Sequence, residues 1–206
     1  MGLRYVYEIV TERQHGDRLV EAVAQHLRPD NRAMLLSTRR LGAEKAVEEF
    51  NRLDGSLLPG FGGDEMCLSF LLKPDDILRE YEDSLRERTR PSSRIPVGCV
   101  WAGVRVGQAY AHLWARAATS GMSRAFQQSP SIRSTFVAIG KAAKASLVFF
   151  DQEEEDAVLA LPGGRPFTPE WITDAWIGIH ETLLEELDVD TYCREALRAA
   201  GRSREE

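Results

Sequence analysis

Apolar residues along the chain alternate in some stretches and recur every three or four positions in others, so strand and helix segments follow one another throughout. Arg4 to Thr11 (RYVYEIVT) is β-branched and aromatic and predicts an opening strand. After Gly16 and Asp17, Leu19, Val20, Val23 and Leu27 recur at helical spacing, with Pro29 as the stop. Met34 to Thr38 predicts a short strand, and Ala43 to Leu53 a helix with Ala46, Val47 and Phe50 facing inward. The Gly-rich segment Asp54 to Asp64 is a loop, and Glu65 to Lys73 (EMCLSFLLK) a strand. Pro74-Asp75-Asp76 marks a helix start, with proline in the first turn and carboxylates at the positive end of the dipole. Ile77, Leu78, Tyr81 and Leu85 form its apolar stripe.

In the second half, Arg88 to Pro96 is a basic loop and Val97 to Val106 a Val-rich strand in which Gly98 and Gly103 permit a bulge. Ala109 to Ala118 fits two patterns. Tyr110, Leu113, Trp114 and Ala117 suit a helix, while Tyr110, His112, Trp114 and Arg116 alternate as in a strand. A turn at Gly107-Gln108 favours one long hairpin, Val97 to Ala117. Thr119 to Ser123 is a turn and helix start. Ser129-Pro130 begins another helix, with serine as cap and proline in the first position, and Ile132, Phe136, Ile139 and Ala143 face inward. Ser146 to Phe150 is a buried strand, Asp151 to Asp156 (DQEEED) an acidic turn, and Ala157 to Leu161 the return strand. Thr168-Pro169-Glu170 opens a helix carrying Trp171, Ile172, Ala175, Trp176, Ile179 and Leu183 on its apolar face. A last helix starts at Asp188 or Asp190 and runs to about Ala200.

These elements predict an α+β fold, with a mainly antiparallel sheet of about six or seven strands and helices packed on it. Residues 1–201 are expected to form one domain, with 202–206 as a frayed tail. The segment Asp17-Arg-Leu-Val-Glu is echoed by Asp76-Ile-Leu-Arg-Glu, each between strands, which suggests a ferredoxin-like N-terminal half.

Charge adds one feature to this picture. Between Arg88 and Phe150 there is no Asp or Glu, yet there are nine basic residues: Arg88, Arg90, Arg94, Arg105, Arg116, Arg124, Arg133, Lys141 and Lys144. The whole chain has 26 basic and 32 acidic side chains and a net charge of −6, so its remainder is strongly acidic. That balance argues against duplex nucleic acid as a partner. No apolar run is long enough for a membrane span, and Met1 to Tyr7 shows no secretory signal, so a cytoplasmic protein is expected. Cys67, Cys99 and Cys193 lie far apart with no CxxC pair, which speaks for reduced thiols and against a disulfide framework or a zinc site.

Few motifs bear on chemistry, and no cofactor is called for. Arg116, Thr119, Ser120, Ser123, Arg124 and Arg133 form an anion-binding candidate, since helix N-terminal N–H groups and converging guanidinium groups hold phosphate or carboxylate. A serine nucleophile at Ser120 or Ser123 would need His112 and Asp151 beside it, and neither serine lies in G-x-S-x-G. His180-Glu181 begins like HExxH, but Leu184 stands where the second histidine belongs. The glycine loops Pro59 to Gly63 and Pro162 to Gly164 lack the dinucleotide fingerprint.

Two functions remain. The first is a non-catalytic module that binds a protein partner with a basic surface, such as an immunity or antitoxin-type protein. Its contacts would be Asp151, Glu153, Glu154, Glu155 and Asp156, with Asp75, Asp76, Glu80, Glu82 and Asp83. The alternative is a domain or enzyme that takes an anionic small molecule at the basic stretch around Thr119–Ser123. The hydrophobic final helices suit a homodimer interface as well as a core.

Overall fold

Strand β1 (Val6–Glu12), buried at every residue but Glu12, lies inside the sheet between β4 and β5 and is covered on both faces. The computed structural model describes residues 5–29, 66–85, 93–152, 157–161, 166–167 and 188–202. A 3₁₀ turn (Arg13–His15) leads from β1 into α1 (Gly16–Ala24). Then follow β2 (Met66–Leu72), α2 (Asp76–Ser84), β3 (Ile95–Val106) and β4 (Tyr110–Arg116). Next come α3 (Ser120–Gln128), α4 (Pro130–Ala142), β5 (Leu147–Asp151) and β6 (Ala157–Leu161). The two-residue β7 (Pro166–Phe167) and α5 (Val189–Arg202) complete the described chain.

The seven strands form one sheet in the order β2-β3-β4-β1-β5-β6-β7. Every pairing is antiparallel. The α+β class and the antiparallel sheet are thus as the pattern predicts. The long hairpin is formed by β3 and β4, so Ala109 to Ala118 is strand in its main part; Gly107 to Ala109 make the turn, one residue more than expected. Strands β1 and β2, which precede the two echoed helical segments, do not sit side by side, because β3 and β4 lie between them.

Alternation along β1 assigns its two faces. Tyr7 and Ile9, with Leu113, Ala115, Val148 and Phe150, face a core closed by Leu19 and Val23 of α1, Phe126 of α3, and Ile132, Phe136 and Ile139 of α4. Val10, Leu147 and Phe149 face the other way, against Tyr192, Cys193, Ala196 and Ala200 of α5. The larger core centres on Tyr7, whose ring stacks on Phe136 at 4.4 Å between centroids and meets Phe150 at 4.7 Å and Phe126 at 5.7 Å. Its hydroxyl donates to the carbonyl of Phe126 (3.3 Å), so the one polar atom of the cluster is satisfied. Burial holds the Tyr7 phenol well above its ordinary pKa, partly offset by the positive charge of Arg133.

Local signals account for most helix ends. Ser129 caps α4 by accepting from the backbone N–H of Ile132, and Pro130 takes the first helical position. Asp75, not a residue after it, is the cap of α2, so Pro74 lies just outside the helix. Helix α1 ends at Ala24, before Pro29, because the next residues pair with the outer edge of β2. Leu27 bridges Phe70, Arg28 N–H donates to Ser69 and Leu71 N–H to His26. That covering protects an otherwise open edge. The expected strand Met34–Thr38, the helices at Ala43–Leu53 and after Thr168, and the two glycine loops lie outside the described residues.

Helix α4 crosses the sheet at close range. A Cβ on Gly140 would come within 2.3 Å of Val148 Cγ2. Gly140→Ala is therefore expected to destabilise by about 1–2 kcal/mol, overpacking outweighing the gain in helix propensity. In a Val148→Ala background the same change should cost little or stabilise, and urea unfolding midpoints of the four proteins measure this.

Candidate functional site

A glutamate in the middle of a strand that is buried on both sides demands partners. Glu8 has them on the face covered by α5. His112 Nε2 lies 2.7 Å from Glu8 Oε2, and the Tyr192 hydroxyl donates to the same oxygen at 2.5 Å. Sheet register sets the first contact: Glu8 pairs with Trp114, and His112, two residues before it on β4, is the diagonal neighbour on the same face. Helix α5 supplies the second, and the His112 and Tyr192 rings sit 4.9 Å apart. Glu8, His112 and Tyr192 are 0%, 1% and 5% exposed, so the group is sealed. Burial, then the charge of Glu8 and its hydrogen bond, and then the charge of Asp151, push the Tyr192 phenol well above its ordinary pKa. Tyr192 therefore stays protonated and acts as a donor. Neighbouring Cys193 is likewise held as a thiol, by burial first and by the negative charge of Glu8 second. Carboxylate, imidazole and phenol are the parts of an acid–base centre, but bonded to one another in the interior they hold α5 to the sheet.

Helix α5 is fixed at its start as well. The Asp190 carboxylate accepts backbone N–H groups from Gln108 (2.8 Å), Ala109 (3.0 Å) and Tyr110 (3.1 Å). Burial raises its pKa, yet these three bonds outweigh that effect and leave it below the ordinary carboxylate value. The fit requires glycine at the hairpin: a Cβ on Gly107 would meet Asp190 Oδ1 at 2.2 Å.

Asp75 joins two helix starts. Its Oδ1 accepts from Leu78 N–H (2.8 Å), capping α2, while Oδ2 accepts from the Ser129 hydroxyl (2.6 Å) and Ser131 N–H (2.9 Å) at the start of α4. Burial raises its pKa, but the bond from Ser129 and those from the backbone of Leu78, Ser131 and Ile77 together lower it below 3.8.

The basic candidates are spread over both sides of the sheet. Thr119 caps α3 by accepting from Met122 N–H (3.2 Å), Ser120 is the first residue of that helix, and buried Ser123 accepts from Tyr5 N–H (3.5 Å). Arg124 and Arg133 are exposed on α3 and α4. Arg116 is on the opposite face with His112 and Trp114, its guanidinium 5.9 Å from the Trp114 ring centroid. The structure therefore does not bring the three arginines together. The sheet also separates Ser120 and Ser123 from His112, which rules out the serine–histidine–aspartate grouping. Asp151 departs from its expected place in a solvated turn: it is 2% exposed, paired with Val6 on β1, and unsuited to surface contact. Glu153, Glu154, Glu155 and Asp156 lie outside the described residues. Among the described residues, no group of three His, Cys, Asp or Glu side chains is placed to hold a metal ion, and no helix is long and apolar enough to cross a membrane.

Glu8 and Tyr192 were not singled out by sequence pattern. A signal for Glu8 exists, a charged residue amid YVYEIV, but its partners lie 104 and 184 positions away. Compared with known proteins, the chain matches no family model, no curated protein and no solved structure.

Two outcomes are expected. Tyr192→Phe should cost about 1–3 kcal/mol in urea unfolding, because it removes a donor from a buried carboxylate. Asp75→Ala should cost about 1–2 kcal/mol at neutral pH. Because folding lowers the Asp75 pKa, its contribution is complete above the ordinary 3.8 and fades as pH falls through the lower folded value. Stability curves of parent and variant should therefore converge in acid, below about pH 4.

Proposed function

We propose that this chain is a non-catalytic binding module for a protein partner with a basic surface, in the manner of an immunity or antitoxin-type protein. The observation that carries this reading is α2. Asp76, Glu80 and Asp83 recur at i, i+4 and i+7, forming one stripe along that helix, and all three are exposed. Leu85, at the end of the same helix, is 48% exposed, an apolar contact beside a charged one. A net charge of −6 adds a long-range field of the same sign. The group best suited to acid–base chemistry, Glu8 with His112 and Tyr192, is buried and internally bonded, which favours binding over catalysis. An anionic ligand held by Arg116, Arg124 and Arg133 has weaker support, since Arg116 is on the other face of the sheet.

Steering by a carboxylate stripe makes association fast and salt-sensitive. Wild type and Asp76→Lys/Glu80→Lys/Asp83→Lys should be passed as bait over host lysate at low and high salt, with matched melting curves as a fold check. The expected result is a basic protein retained by wild type at low salt, released at high salt, and bound at least tenfold more slowly by the variant. Identical retention by both baits would refute the reading.

A further inference from the structure

Cys67 and Cys99 are 32 positions apart, and their spacing suggested no link. The sheet joins them. On the β2–β3 pair, Leu68 faces Val100 and Phe70 faces Val97, so Gly98 and Cys99 together oppose Ser69. This is a β-bulge. Cys99 takes the left-handed conformation, φ 57°, that residues with a Cβ adopt only at a cost. Leu68, Phe70, Val97 and Val100 face the larger core, which leaves Cys67 and the bulged Cys99 on the other side of the sheet. There the two sulfurs are 2.7 Å apart. Both side chains are half-buried, whereas Cys193 is fully buried.

We infer that Cys67 and Cys99 are a modification site: a thiol pair that closes reversibly to a disulfide by exchange with a small-molecule disulfide. A disulfide bond is about 2.05 Å long, so the sulfurs need to move by less than about 1 Å. One cysteine thiolate attacks the small disulfide RSSR, forming a protein–SR mixed disulfide and releasing RS⁻. The second cysteine thiolate then attacks the protein sulfur of that intermediate and expels the other RS⁻. The protein dithiol is oxidised by two electrons, RSSR is reduced, and the two thiol protons leave with two molecules of RSH. The bond staples the outermost strand to its neighbour and encloses α2 within the loop. It is independent of the partner proposed above.

The test is to incubate the native protein with oxidised glutathione, quench in acid, alkylate and map the peptides. The expected product is a protein lighter by two hydrogens, with one cross-link between Cys67 and Cys99, Cys193 alkylated only after denaturation, and full reversal by dithiothreitol. Cys67→Ser and Cys99→Ser should each stop at the mixed stage and carry one glutathione. The oxidised protein should melt about 5 °C higher than the reduced one, since the closed loop restricts the unfolded chain. Persistence of both thiols, glutathione on both cysteines of the wild type, a bond between two molecules, or a cross-link seen only under denaturing conditions would each overturn the inference.

Discussion

A carboxylate in the interior is tolerable only when it is bonded, and at Glu8 that requirement organises the molecule. The side chain projects from the central strand into the buried face beneath α5, and losing its partners there would leave a desolvated group costing several kcal/mol. Its partners come from two different elements. His112 arrives through the register of β4, and Tyr192 through the docking of α5. Any slip of β4 by one residue would turn His112 to the opposite face. Any rotation of α5 would withdraw the phenol. An apolar residue at this position would deprive the buried His112 and Tyr192 of this partner and remove the bonds that tie β4 and α5 to the central strand.

Asp190 and Asp75 apply the same principle at the margins. Each is a carboxylate that accepts several N–H groups and so joins elements distant in sequence: α5 to the β3–β4 hairpin in one case, α2 to α4 in the other. Three acidic residues thereby act as fasteners, and their charge is spent internally. What remains available to solvent on α2 is the stripe of Asp76, Glu80 and Asp83. The basic side chains Arg124 and Arg133 are likewise exposed, but from helices on the other side of the sheet from Arg116.

Elements governed by local chemistry were legible in the sequence. The alternation in RYVYEIVT, the Ser129-Pro130 cap and the turn after Val106 each act over a few residues; strand and cap are found where that chemistry puts them, and the turn starts at Gly107 as expected but takes in Ala109. The ends that shifted did so for tertiary reasons, as where Leu27 leaves its helix to bridge Phe70. Strand order was not legible, because alternation fixes which face a residue takes and says nothing about which strand lies beside it. For the same reason Asp151 passed as part of an acidic turn, although pairing with β1 draws it inside. Cys67 and Cys99 gave no spacing signal at all; a one-residue bulge joins them, and its hint was only Gly98.

The central position of β1 also bears on synthesis. A ribosome makes this strand well before its two neighbours, β4 and β5, which lie about a hundred and about 140 residues downstream. At about 5–20 residues per second, β1 must wait on the order of ten seconds before both flanks exist. Throughout that interval VYEIV is an apolar, β-prone segment with no edge to pair with, the kind of segment that invites association between chains. Glu8, buried and bonded at the end of folding, is the one charge within it during the wait. The residue that bonds β4 and α5 in the native state thus also places a charge inside the apolar segment while it waits, where a charge opposes association.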